Sequence, residues 1–452
     1  MTFSLYLHIP FCSAKCDYCD FYSVPLGPLT AKERERIIFR YIDALLAETE
    51  RRCAEIARGG GSGGGGGFKA NSDYCPDGFK ANADYYPAVV PTVYIGGGTP
   101  SLLGAAGITA LMRGLEPLIA AGAGCSTNAD YRPPSGCNAN SDYRPPSPSG
   151  SNANARYPGE ITVEANPESA DGAFLEACAV NGINRISLGV QSFDGAARGA
   201  VGRRGGTALL PERLAAAAEI FGPGLSLDMM SGLPGQDRDV LLRDIDRALS
   251  FNPGHVSLYA LTVEEGTRLA AVLSSPAGRG FPSKDEADEL WLAGRDALRG
   301  AGFEHYEVSN FARRGPGQKS LRCAHNIRYW RMENWIGLGP GASGTVIGED
   351  GRGRRVSYGP DADAFIADPE GPMVAEELDR AGVLRETFLM GFRYAEGPDP
   401  ALFRKRFGLS VEEAIPAALE KWRALGDWEK RVLFLNRFLL DAFAELDNSR
   451  IT

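Results

Sequence analysis

Three cysteines, Cys12, Cys16 and Cys19, fall within eight residues near the start of a 452-residue chain, spaced C-x3-C-x2-C. Thiolates are soft donors, and a tight group of them selects zinc or an iron–sulfur cluster over magnesium or calcium. A cubane 4Fe–4S cluster has four irons and normally takes four thiolates, so three leave one iron open. That iron could hold the amino and carboxylate groups of S-adenosylmethionine (SAM), and one electron from the cluster could cleave the sulfonium to a carbon radical. A zinc site completed by His8 or a distant residue competes, although structural zinc usually shows two separated pairs of ligands. Unrelated core thiols brought together by chance are a second alternative. A disulfide framework fits poorly, because the nine cysteines are odd in number and the chain far exceeds small secreted domains.

The elements around this loop must deliver it to a ligand. Residues 4–10 read as a short strand, and a helix follows from the N-cap Thr30, with Glu33 three residues on, through Ile37, Ile38, Tyr41, Ile42, Leu45 and Leu46 to about Arg58. Residues 59–88 open with a glycine tract and hold two near-copies, 68–74 and 79–85; related units return at 128–134 and 140–146. These units are too short and polar to bury a face, so 59–88 and 122–158 are expected to be disordered surface insertions, and their Cys75, Cys125 and Cys137 are set aside from the cluster. Elsewhere strands alternate with helices. Strands are expected at 91–95, 160–165, 185–190, 225–230 and 255–260, with helices over 101–121, 169–181, 207–221 and 237–251. Repeated βα units imply a parallel sheet, closed or partly closed as a barrel, with functional residues at the C-terminal ends of its strands.

Cys12, Gly97, Glu164, Gln191 and Asp228 each fall at or just past such an end. Gly96, Gly97 and Gly98 would let backbone amides approach a ligand, although a tight βα turn explains them equally well. Glu164 and Asp228 are single acids on otherwise apolar strands, which favours ligand binding over a surface-facing placement. Gln191 could supply paired amide contacts, and the Arg203 fork suits a carboxylate. A second informative stretch is Cys323-Ala324-His325-Asn326-Ile327-Arg328-Tyr329-Trp330, which holds one of only four histidines. Axial haem ligation with aromatic stacking and a packed loop histidine are both open for it.

From about residue 376 helical periodicity takes over, in 384–392, 411–425 and 432–446, which reads as a small mostly helical domain of winged-helix type after a first domain over 1–375. The net charge of −9 argues against nucleic-acid binding. No apolar run approaches the roughly 20 residues that span a bilayer. Only eleven residues precede Cys12, which leaves no room for a cleavable leader, and a reducing cytoplasm suits a thiolate-bound cluster.

Tyr6-Leu7-His8-Ile9-Pro10-Phe11-Cys12, Cys16, Cys19, Gly96-Gly97-Gly98-Thr99-Pro100, Glu164-Ala165-Asn166-Pro167, Gly189-Val190-Gln191-Ser192-Phe193 and Asp228 resemble the oxygen-independent coproporphyrinogen III oxidase-like branch of the radical SAM enzymes. The resemblance covers nearly the whole chain outside the two insertions. It implies an α/β fold, a partial (β/α)6 radical SAM barrel with the helical, winged-helix-like domain behind it, and a 4Fe–4S cluster on Cys12, Cys16 and Cys19. It also implies SAM contacts from Tyr6, Gly97, Gly98, Thr99, Glu164, Gln191, Arg203 and Asp228, with Tyr18 and Ala260 as further candidates. The decarboxylating oxidases resemble C-x3-C-x2-C-x-C, whereas this chain has Phe21 at the fourth position. The His325-Asn326-x-x-Tyr329-Trp330 pattern is similar to one that marks a haem-chaperone branch. The implied function is therefore to bind haem and hand it to acceptor proteins, membrane-bound ones included, with the cluster and SAM as accessory groups. A SAM-dependent porphyrinogen decarboxylase, a radical methyltransferase-like relative and a structural zinc protein remain as alternatives, and homodimerisation is left open.

Overall fold

The computed structural model describes residues 2–59, 90–121, 159–203, 205–273, 280–315, 317, 319–371 and 373–448. The expected insertions, 59–88 and 122–158, lie outside the described residues except for Gly59, the last residue of helix α1 (Ala31–Gly59). Six parallel strands follow the expected order: β1 (Ser4–Ile9), β2 (Thr92–Gly97), β3 (Glu160–Ala165), β4 (Arg185–Gln191), β5 (Leu225–Ser231) and β6 (His255–Ala260). Each pairs in parallel with the next. The helices expected from 101 and 207 begin as 3-10 turns, Pro100–Leu103 and Thr207–Leu209, before continuing as α-helix.

These strands alternate apolar and polar residues over most of their length. Leu5, Leu7, Ile9, Val93, Ile95, Ile161, Val163, Ile186, Leu188, Leu227, Val256 and Leu258 are all at most 1 % exposed and form the main core with the surrounding helices. The residues between them are polar: Ser4, Tyr6 and His8 on β1, Thr92 and Tyr94 on β2, Thr162 and Glu164 on β3, and Ser187, Asp228 and Ser257 beyond. They meet across the inner face, where Thr92 donates to Ser4 (2.7 Å) and the Ser187 and Ser226 hydroxyls lie 3.1 Å apart. Parallel strands buried on both faces normally read as continuous apolar runs. Here the lumen takes the polar positions, so the barrel is built around a polar interior instead of a branched-chain core.

The sheet continues past the six strands on both sides. Completing it are β7 (Glu304–Glu307), β8 (Asn310–Ala312), β9 (Trp335–Leu338), β10 (Ser343–Ile347), β11 (Gly353–Tyr358) and β12 (Met373–Leu378). The order is β12-β11-β10-β9-β1-β2-β3-β4-β5-β6-β8-β7, a linear series, so the barrel is partial. Strand β9 runs parallel to β1 and adds a seventh parallel strand that the sequence reading did not assign. Behind it, Val383, Leu384, Phe388, Phe403, Phe407, Trp422, Phe438 and Leu439 form a second core, with Trp422 and Phe438 stacked at 4.3 Å. One helical stretch, Pro100–Ile119, is long and apolar enough to cross a membrane, contrary to the expectation that no run would be. Its Ile108, Leu111 and Leu115 are fully buried in the main core, as in a helix that covers a sheet.

Candidate functional site

The cysteine loop is pinned at both ends. Phe11–Cys12 pairs in parallel with Val24–Pro25, and the Leu26 amide donates to the Cys12 carbonyl (2.8 Å). At its centre the Asp17 amide donates to the Val201 carbonyl (3.1 Å), and the Leu269 amide donates to that of Asp17 (2.8 Å). All three thiols are free and partly exposed. Cys16 and Cys19 line a cavity of about 730 Å³ with Lys15, Asp20 and the 265–268 loop. Burial pushes the Cys19 thiol up to about 11, and the neighbouring Cys12 and Cys16 add to it, so the three sulfurs sense one another.

A chain of hydrogen bonds joins two of these cysteines through the strand ends. Cys12 Sγ lies 3.4 Å from Thr99 Oγ1, which accepts from Asn166 Nδ2 (3.0 Å). Arg203 then donates to Asn166 Oδ1 (2.7 Å), to the Gly189 carbonyl (2.7 Å) and, at 3.8 Å, to Cys16 Sγ. Gln191 belongs to the same group, since a Cβ at Gly189 would stand 3.1 Å from both Gln191 Nε2 and the Arg203 guanidinium. Its backbone is left-handed (φ 67°), at a register shift between β4 and β5 that turns the strand end toward the mouth. Asn166 stands in the quoted Glu164-Ala165-Asn166-Pro167 motif without an assigned role, because its partner Arg203 stands 37 positions away.

The two acids occupy different depths. Glu164 accepts from the Tyr94 hydroxyl (2.7 Å) and from the Gly97 amide (3.0 Å). Burial pushes its carboxyl up to about 7 against the pull of these two donors. Gly97 (φ 109°) is obligatory, because a Cβ there would lie 2.7 Å from the His8 ring. That ring accepts from Tyr6 at Nδ1 (3.1 Å) and donates from Nε2 to the Tyr22 carbonyl (3.3 Å). Asp228 lies in mid-strand, deeper than a strand end, where Ser187 donates to both its oxygens (3.0 and 3.1 Å) and burial raises its carboxyl. Gly97, Gly98, Thr99, Glu164, Gln191 and Arg203 thus stand at the strand ends beside the cysteines, while Tyr6 and Asp228 lie in mid-strand, Tyr6 against Tyr94 and Asp228 against Ser187.

Comparison with known proteins agrees with this geometry. Residues 6–248 match the family model described as the radical SAM superfamily. The chain belongs to that superfamily. Mouse radical S-adenosyl methionine domain-containing protein 1, mitochondrial, is 30% identical over 76% of this chain and 61% of its own length. The match therefore spans less than two thirds of that relative. Heme chaperone HemW of Escherichia coli is 31% identical over 77% of this chain and 71% of its own. The solved coproporphyrinogen III oxidase HemN from Escherichia coli superposes with a TM-score of 0.66 at 18% identity, covering 98% of this chain and 90% of that one, and shows the shared fold.

Radical SAM membership implies a 4Fe–4S cluster and SAM, and the donors present fit them. Three free thiols lie on one pinned loop, beside a mouth that offers both carboxylates and a buried guanidinium. Among the described residues no three His, Cys, Asp or Glu side chains stand close enough to share a single metal ion.

The His325 motif is at the opposite end of this radical SAM barrel, where the strands begin. The His325 ring is fully buried; Nδ1 lies 2.9 Å from Thr92 Oγ1 and Nε2 lies 2.8 Å from the Tyr329 hydroxyl. Because Thr92 spends its proton on Ser4, His325 carries its own on Nδ1 and accepts from Tyr329 at Nε2. Burial drives the imidazole down to about 3, and neither ring nitrogen is free for an iron in this arrangement. Glu160 caps the turn by accepting from the Ala324 and His325 amides (2.9 Å each), Asn326 is half-buried, and Trp330 stacks on Tyr394 at 5.7 Å.

Proposed function

We propose that this chain binds haem and delivers it to acceptor proteins, membrane-bound ones included, and that it carries a 4Fe–4S cluster on Cys12, Cys16 and Cys19 with SAM at the barrel mouth. The observation that carries the reading is the mouth itself: three free thiols on a pinned loop, two of them joined to Arg203 and Asn166, with Phe21 standing 62 % exposed two positions after Cys19. In the decarboxylating oxidases that this chain resembles, a further cysteine stands at that position. The relative named as a heme chaperone supports the haem reading. Residues 376–452 are taken as a separate helical domain.

When bound, the cluster supplies one electron and SAM the sulfonium bond that an electron can cleave. The chain's own residues hold and orient. The Arg203 fork is already fixed by Asn166 and the Gly189 carbonyl, so it meets a carboxylate without having to be ordered first. The Glu164 carboxylate, held by Tyr94 and the Gly97 amide, keeps lone pairs for ligand hydroxyl or amino donors.

The test is an anaerobic haem titration of cluster-reconstituted protein through the Soret band, with coproporphyrinogen III turnover run beside it. Saturable, stoichiometric haem binding without vinyl-bearing product is the expected result. Vinyl product with stoichiometric 5′-deoxyadenosine, and no haem bound, would make the protein a decarboxylating oxidase instead.

A further inference from the structure

The inner face of the barrel holds a continuous stack of side chains from floor to mouth. At the floor, Tyr329 and Thr92 hold the two nitrogens of His325. The His325 ring lies 5.1 Å from the ring of Tyr94, centroid to centroid, and at right angles to that of Tyr329 at 4.8 Å. Tyr94 is stacked on its other neighbour, Tyr6, at 6.2 Å. Its hydroxyl then reaches Glu164, whose second oxygen takes the Gly97 amide. Gly96 makes room for this stack: a Cβ there would lie 2.8 Å from Tyr94 Cε1 and 3.0 Å from Glu164 Oε2. The Thr92 bond to Ser4 sets one self-consistent assignment of the protons in this series. His325 must be neutral with its proton on Nδ1, Tyr329 must donate to it, and Tyr94 must donate upward to the carboxylate.

We propose that His325 and Tyr329 form a positioning floor for the SAM site: they fix the Tyr94 ring, and Tyr94 fixes the Glu164 carboxylate at the mouth. His325 acts on SAM through Tyr94 and does not ligate haem iron. The motif then belongs to the cluster end of the function, although its residues stand at the far end of the strands. The inference rests on the SAM reading above, and the measurements separate the two.

Infrared titration of the Glu164 carboxyl, identified by the band lost in Glu164→Gln, needs no SAM. SAM affinity by anaerobic equilibrium dialysis and haem stoichiometry by Soret titration complete the set. The variants are Tyr94→Phe, His325→Ala and His325→Gln, whose amide can both donate to Thr92 and accept from Tyr329. Loss of the Tyr94 donor should raise the Glu164 midpoint by about one pH unit, because a hydrogen bond to the charged form is lost. His325→Ala should move it in the same direction and weaken SAM about tenfold, with haem stoichiometry unchanged, and His325→Gln should return both values toward wild type. A His325→Ala protein that loses haem but keeps the wild-type Glu164 midpoint and SAM affinity overturns the proposal, as does one in which nothing changes. If His325→Ala does not fold, Tyr94→Phe, which keeps the ring, decides by the same readings. Wild-type protein that binds no SAM would remove the SAM reading, while the Glu164 titration still judges the floor.

Discussion

At the floor of the barrel, Thr92 donates to Ser4, His325 bonds Thr92 and Tyr329, and Glu160 caps the turn that carries His325. At the mouth, on the same inner face and with the same kinds of residue, the groups are only half committed. The three thiols are free, Arg203 Nε has no hydrogen-bond partner among the described residues, and burial holds Glu164 near neutrality. The bonded groups at the floor fix one shape, although the nearby Thr162 hydroxyl has no partner among the described residues, and the open network at the mouth keeps capacity for something that arrives later. The difference follows from position along the strands, because the βα loops at the C-terminal ends can carry ligands and the N-terminal ends must be sealed.

The sharpest way to break the comparison is to remove a thiol. Cys12→Ala should reduce iron and acid-labile sulfide in reconstituted protein to background, with far-ultraviolet circular dichroism unchanged, because the mouth is not what holds the barrel together. A fold lost along with the cluster would mean that the two ends are one structural unit.

Acid should separate the two ends next. All four histidines, His8, His255, His305 and His325, are buried and held neutral, with values pushed down to about 4 for His8 and His305 and about 3 for His325. In the unfolded chain they titrate near 6.5, so the unfolded state binds more protons as pH falls below that value. Their contribution is fully present above about 6.5 and is lost on acidification toward 4, by about 2 kcal/mol at pH 5 for each of His8, His305 and His325, with His255 acting in the same direction. Glu164 has the opposite sign: raised to about 7, it adds stability at low pH that is lost as pH rises through 7. Asp228 and Asp244, also raised by burial, share that sign, and four histidines against these three carboxyls should give a denaturant midpoint that falls from pH 7 to pH 5. SAM binding should weaken over the upper part of that window, as the Glu164 carboxylate takes its proton.

At the mouth, Arg203→Met strands the Gly189 carbonyl and Asn166 Oδ1 and frees Cys16 from its donor. Hydrogen bonds from a charged donor suggest a loss of about 2–3 kcal/mol in stability. SAM affinity should fall more than tenfold in the same protein, measured by dialysis beside thermal melting. An equal loss of stability with unchanged SAM binding would put Arg203 among the structural residues.

Much of this was legible before any coordinates. The cysteine spacing, the glycines at 96–98 and the βα order placed the mouth, since each signal is local: a motif, a turn, a period. The strands were read as apolar, yet S-L-Y-L-H-I, T-V-Y-I-G-G and R-I-S-L-G-V-Q alternate throughout, and that alternation is the polar lumen. Asn166, quoted in its motif, and Tyr94 carry no role in the sequence because what makes them important is a partner distant in sequence, Arg203 for one and Glu164 with His325 for the other. His325 was visible as a rare residue in an unusual setting, but sequence carries no sign of which end of a strand a side chain faces. The antiparallel edge strand β12 (Met373–Leu378) has four of its six residues exposed, so it carries no alternating apolar pattern to read.

The smallest change probes the floor alone. Thr92→Val keeps the shape of the side chain and removes the hydroxyl that bonds both Ser4 and His325. The His325 proton on Nδ1 is then left buried without an acceptor, and the ring cannot move it to Nε2 without losing the Tyr329 donor. One buried unpaired donor costs about 1–2 kcal/mol, so the denaturant midpoint should drop with an unchanged slope. Iron content and haem stoichiometry should stay at wild-type values, because Thr92 stands at the start of its strand and the thiols beyond the far end of another. A Thr92→Val protein that keeps its stability but loses haem would show that the floor is a ligand site after all, and would erase the contrast between the two ends.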